Sequence, residues 1–140
     1  MNYFRTFIRV SADCPVKRSA APVIKGERVS VAVLEYSLLS SAPYVYTQEE
    51  LLFLVHVRRQ GISRSAREEG GNGREALWTD FFSRSRACLR ASGLPKKFGW
   101  GLHFDNDGKI ALVPMESEEY RRLESDERLT QLPAMRNRRA

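Results

Sequence analysis

The sequence predicts an α+β fold, a small antiparallel sheet packed against several helices. Three observations predict it. Residues 100–105 and 109–113 are two strand-like runs around Asn106-Asp107-Gly108, which reads as a hairpin. Thr47-Gln48-Glu49-Glu50 is a capping box in front of the apolar run LLFLVHVRR. Leu77, Trp78, Phe81 and Phe82 fall on one broad helical face. The chain has 140 residues, 42% hydrophobic and 29% charged, which suits a single globular domain over 1–140.

The elements follow in order. Tyr3 to Val10 is rich in aromatic and β-branched residues and reads as a strand. Ser11 to Arg28, with two prolines and a glycine, reads as a loop. Val29 to Leu39 fits either a strand through Tyr36, since its valines alternate, or a helix capped by Ser30. The length of the apolar run and its end at Ser40-Ser41-Ala42-Pro43 favour the helix. Pro43-Tyr44-Val45-Tyr46 is an aromatic linker to the capping box.

The helix that Thr47 caps is apolar nearly all round and should be buried, with Gly61 as its stop. His56 within it reads as a core histidine, since no second histidine is near in sequence. Ser63 to Gly73 is polar and glycine-rich, a mobile loop, and a further helix starts near Arg74. Leu94-Pro95 is expected to break that helix's continuation, so that Arg90 to Phe98 crosses the surface.

The hairpin register follows from its turn. A three-residue loop with Gly108 in the left-handed position sets Phe104 opposite Ile110, His103 opposite Ala111 and Leu102 opposite Leu112. One face is then Trp100, Leu102, Phe104, Ile110 and Leu112; the other holds Gly101, His103, Asp105, Lys109 and Ala111. A two-residue loop would mix the faces, which a sheet with a buried side resists. Gly101 leaves space beside His103 that suits a ligand or a packed aromatic ring equally. Beyond it, Ser117 caps a helix with Glu118 and Glu119 in its first turn. Leu129, Leu132 and Met135 pack the tail back, and residues 137–140 fray as a basic end.

The net charge is +6. The arginines are spread over loop and tail segments and form no stripe, which argues against a nucleic-acid partner. No apolar run approaches the ~20 residues a membrane span needs, and Arg5 and Arg9 interrupt the N-terminal apolar residues, unlike a signal peptide. The two cysteines, Cys14 and Cys88, form no CxxC pair. A cytoplasmic, membrane-free protein without structural zinc is expected.

Reactive side chains concentrate in Cys88 to Asp105. His103 is the candidate acid–base group, with Asp105 or Glu116 to orient it and Cys88 as a candidate nucleophile. Arg90 and Lys96 suit an anionic ligand, with Trp100 and Tyr120 supporting. The spacing matches no metal motif, and no nucleotide-binding fingerprint is present, so neither metal nor cofactor is expected. This set points to a small-molecule enzyme or binding protein for an anionic metabolite, with lyase- or isomerase-like acid–base chemistry. The competing reading is a non-catalytic module that binds an acidic protein or nucleic acid through its basic surface. Convergence of the candidate residues on one pocket separates the two. A homo-oligomer is compatible with either.

Thr6-Phe7-Ile8, Asp13-Cys14-Pro15, Cys88-Leu89-Arg90-Ala91-Ser92, Leu94-Pro95-Lys96, Gly99-Trp100-Gly101 and His103-Phe104-Asp105 occur in that order. In these motifs the chain resembles a family of small bacterial proteins of unknown function over nearly its whole length. The Ser63 to Gly73 loop departs from the family by being longer and richer in glycine. The resemblance implies a bacterial, single-domain, cytoplasmic protein and supplies no reaction, cofactor or catalytic residue.

Overall fold

A computed structural model describes residues 2–26, 29–61 and 72–138. Four strands form one sheet: β1 (Thr6–Arg9), β2 (Trp100–Phe104), β3 (Ile110–Pro114) and β4 (Thr130–Pro133), in the order β3-β2-β1-β4. The helices are α1 (Val31–Ser41), α2 (Gln48–Arg59), α3 (Asn72–Phe82), α4 (Gly93–Lys97) and α5 (Glu118–Glu124). A 3-10 turn, Leu89–Ala91, precedes α4. The loop expected at 63–73 lies largely outside the described residues, and α3 begins at Asn72 instead of near Arg74.

The hairpin has the register read from the sequence: Phe104 pairs Ile110, His103 pairs Ala111 and Leu102 pairs Leu112. Gly108 takes φ +79°, as the turn requires. Asp105 closes the turn, its Oδ1 accepting from the Asp107 and Lys109 amides at 2.9 Å each.

The alternation of β1 and β2 divides the protein into two layers around the sheet. Ile8, Leu102, Phe104 and Ile110 face α1, α2 and the 89–97 segment, packing with Leu38, Leu39, Leu51, Leu89 and Leu94. Phe7 and Val113 face α5 and meet Tyr120 and Leu123. A third cluster, Phe53, Val57 and Phe81 with Trp78, joins α2 to α3.

The 29–39 segment is the helical alternative, capped by Ser30 Oγ on the Val33 amide. The capping box of α2 is complete: Thr47 accepts from the Glu50 amide at 3.3 Å, and Glu50 Oε1 accepts from the Thr47 amide at 3.1 Å. Gly61, at φ +68°, follows the helix end.

Three expectations are corrected. Arg90 to Phe98 is not a surface crossing, because Leu89, Ser92, Leu94 and Pro95 are all buried. Pro95 sits in the first turn of α4, where its missing N–H leaves no hydrogen bond unmade, so it does not break the chain there. The sheet is mixed, since β4 pairs parallel to β1 with Ile8 opposite Leu132. Pro133 is tolerated because β4 is an edge strand. Leu129 and Leu132 pack inward as expected, but Met135 is exposed.

Candidate functional site

Strand alternation places His103 on the α5 side of the sheet, next to Phe7 of β1. The α1–α2 connection brings a partner to it. The Tyr44 amide donates to the Ile110 carbonyl and the Ile110 amide donates to the Tyr46 carbonyl, both at 2.9 Å. These bonds stitch the connection to the start of β3. Tyr44 Oη then lies 2.7 Å from His103 Nδ1, with the rings edge to face and 5.6 Å between centroids.

Two non-glycine residues among those described have left-handed backbones, Arg5 at φ +46° and Tyr44 at φ +58°. Both border His103. Arg5 is fixed by its amide, which donates to the Asp105 carbonyl at 3.0 Å, and by its own carbonyl, which accepts from the Thr130 amide at 2.9 Å. Such conformations are unfavourable by roughly 1–3 kcal/mol each and tend to collect at functional sites.

Two cavities open at this corner, of about 300 and 770 Å³, and both are lined by Arg5, His103, Asn106 and Leu129. The smaller is completed by Asp105 and its turn, the larger by Arg122, Leu123, Asp126 and Arg128. Arg128 is forked onto Asp126 at 3.0 and 3.1 Å, and Arg122 lies 3.6 Å from Glu119. The Arg5 guanidinium has no partner among the described residues.

Burial pushes the His103 pKa below its ordinary value, against the pull of Glu119, Asp105 and Asp126. Burial, reinforced by Glu119 and Asp105, raises that of Tyr44. At neutral pH the pair is therefore a neutral imidazole and a protonated phenol. The hydrogen bond between them has two directions. With Tyr44 donating to Nδ1, Nε2 carries the proton and acts as an acid. With Nδ1–H donating to Tyr44, Nε2 is a free base.

Of the residues singled out in the sequence, His103 and Asp105 line the same cavity. The others occupy separate places. Glu116 accepts from Ser19 at its amide (3.0 Å) and hydroxyl (2.6 Å), bonds that hold its pKa below the usual carboxylate value and pin the segment after β1 at Ser19. Trp100 donates to the Ala20 carbonyl at 2.9 Å and its ring meets Tyr36. Tyr120 Oη accepts from the Val10 amide at 2.8 Å. Arg90 Nε donates to the Pro133 carbonyl at 2.8 Å, and the Cys88 thiol lies beside the Tyr3 hydroxyl. Burial and that thiol push Tyr3 up to about 12. The Lys96 carbonyl accepts from the Asn137 amide side chain at 2.8 Å. The space expected beside Gly101 is filled by the rings of Phe7 and Tyr120.

His56 is half-buried on α2, not a core residue, with its ring 4.6 Å from that of Phe81. No group of three or more His, Cys, Asp or Glu side chains suited to a metal occurs among the described residues. No helix among them is long and apolar enough to cross a membrane.

Arg5, Tyr44, Asn106, Arg122 and Arg128 escaped the sequence reading. The dense aromatics of Pro43 to Tyr46 were the sole hint of Tyr44, which meets His103 across 59 positions of sequence.

The fold and this corner define an α+β protein with a histidine–tyrosine pair beside a groove lined by arginine and aspartate side chains. The chain belongs to the Family of unknown function (DUF6157), whose match covers residues 1–140. No curated protein and no solved structure matches it.

Proposed function

We propose that the protein binds a small anionic metabolite in the groove around His103 and performs acid–base chemistry on it, as a lyase or isomerase does. The observation that carries this reading is that both left-handed non-glycine residues meet at His103: Arg5 lines the two cavities with it, and Tyr44 shares a hydrogen bond with its Nδ1. Arg5 supplies an unspent guanidinium for the anion. Nε2 of His103 takes a proton from the ligand while Nδ1–H donates to Tyr44, and returns it from the resulting imidazolium. Asp105 holds the turn at the cavity wall. Arg90, Lys96, Cys88, Glu116, Trp100 and Tyr120 serve the fold around the site and not the ligand. The free thiols of Cys14 and Cys88 support a reducing, cytoplasmic setting.

Thermal stability across organic acids, sugar phosphates and oligonucleotides tests the reading. A small anion at a hundred times its dissociation constant should stabilise the protein by about 2.7 kcal/mol. His103→Ala and Arg5→Ala should remove the shift while Arg90→Ala keeps it. Stabilisation by oligonucleotides alone, lost as salt rises, would replace this reading with that of a basic-surface interaction module.

A further inference from the structure

We infer that the ligand class is a small 2-hydroxy- or 2-oxocarboxylate, bound through its carboxylate by Arg5 with its apolar body over Leu129. This assignment rests on the proposed anion site and narrows it. Three arginines line the larger cavity, but two are already committed: Arg128 to Asp126 through two bonds, and Arg122 to Glu119. One uncommitted guanidinium remains, and it matches one singly charged group. A planar carboxylate fits its fork through two parallel bonds. A phosphate dianion brings a second charge for which the groove has no unpaired cation. It would also meet Asp105 and Asp107 in the smaller cavity or Asp126 in the larger.

The remaining lining supports a functionalised acid over a plain one. Leu123 and Leu129 form an apolar wall of the groove. His103 and Asn106 line both cavities together with Arg5. With Nδ1 engaged by Tyr44, Nε2 is the ring nitrogen left for a ligand. A carboxylate on Arg5 therefore gains from a hydroxyl or carbonyl on the adjoining carbon, which His103 and Asn106 are placed to bind. A long chain is not needed to cover the two leucines.

Calorimetric titration with 2-hydroxybutyrate, butyrate and inorganic phosphate tests the class. The expected result is binding of 2-hydroxybutyrate, at least tenfold weaker binding of butyrate, and no competition from phosphate. Arg5→Ala should weaken 2-hydroxybutyrate at least tenfold. Arg5→Lys, which keeps the charge and loses the fork, should fall between. Unchanged circular dichroism and melting of both variants separates lost binding from lost folding. Binding of phosphate equal to or tighter than that of 2-hydroxybutyrate would overturn the carboxylate assignment and leave the anion site standing. Butyrate binding as tightly as 2-hydroxybutyrate would overturn the assigned second polar group. Binding of none of the three would overturn the 2-hydroxy- or 2-oxocarboxylate assignment, while the anion reading is decided separately by the wider thermal panel.

Discussion

Glu35→Gln should leave stability nearly unchanged near pH 4.5 and make the protein more stable than the wild type above pH 7. Glu35 lies on α1 with 2% of its surface exposed. Its Oε1 accepts from Ser92 Oγ at 2.8 Å, and Ser92 in turn caps α4 by accepting from the Leu94 amide. Burial pushes its pKa from 4.5 up to about 7, against the smaller pull of the Ser92 bond. The folded state thus holds this proton more tightly than the unfolded chain. Its contribution is fully present below pH 4.5 and is lost as pH rises to 7. The loss is on the order of 3 kcal/mol. Glutamine keeps the bond to Ser92 and removes the ionisation. The depressed pKa values of His56 and His103 act in the opposite direction, since stability from them grows as pH rises toward 6.5. They cancel in the difference between variant and wild type. Urea unfolding of both proteins at pH 5, 7 and 9 measures that difference; a gap that stays constant with pH contradicts the assignment.

Gly101→Ala should destabilise the protein by about 3 kcal/mol, the upper range for overpacking a filled core. An added Cβ would meet Phe7 Cζ and Tyr120 Cε2 at 2.8 Å each, and Phe7 Cε1 at 2.9 Å. Both rings are held. Phe7 is fully buried in the central strand pair, and Tyr120 is anchored by the Val10 amide. Relief requires moving α5 away from β1 and β2, which would also disturb the groove formed with Arg122 and Leu123. Chemical denaturation of the variant measures the effect. A loss below about 0.5 kcal/mol, the size of an ordinary surface substitution, would show that the rings move freely.

Local rules carried much of the fold. The Gly108 turn fixed the hairpin register, because a one-residue slip would have turned Leu102 and Phe104 away from the core. Thr47, Ser30 and Ser117 announced three helix starts, because each satisfies an amide that the helix leaves unpaired. What remained illegible was long-range. Thr130–Pro133 is short, half polar and ends in proline, so nothing local marked it as the parallel partner of β1. Pro95 reads as a breaker unless Ser92 is known to be the cap that puts it in a first turn. Of the proposed site, only His103 and Asp105 were legible. Its other members come from the N-terminal segment, the α1–α2 connection and α5, which the topology alone brings together. Arg90, Lys96 and Trp100 stood out because they are chemically versatile, yet Arg90 and Trp100 are engaged by backbone carbonyls and Lys96 lines neither cavity.

The chain contains two histidines, and this makes one measurement decisive. Imidazole nitrogen resonances of the labelled protein would be followed during titration with 2-hydroxybutyrate at pH 7. His103 belongs to the proposed site, while His56 packs against Phe81 in the α2–α3 cluster and serves as the internal control. A saturable shift of the His103 signals is expected, Nε2 above all, with His56 unmoved. Titration to millimolar ligand with both histidines still, or with both moving together, would contradict it.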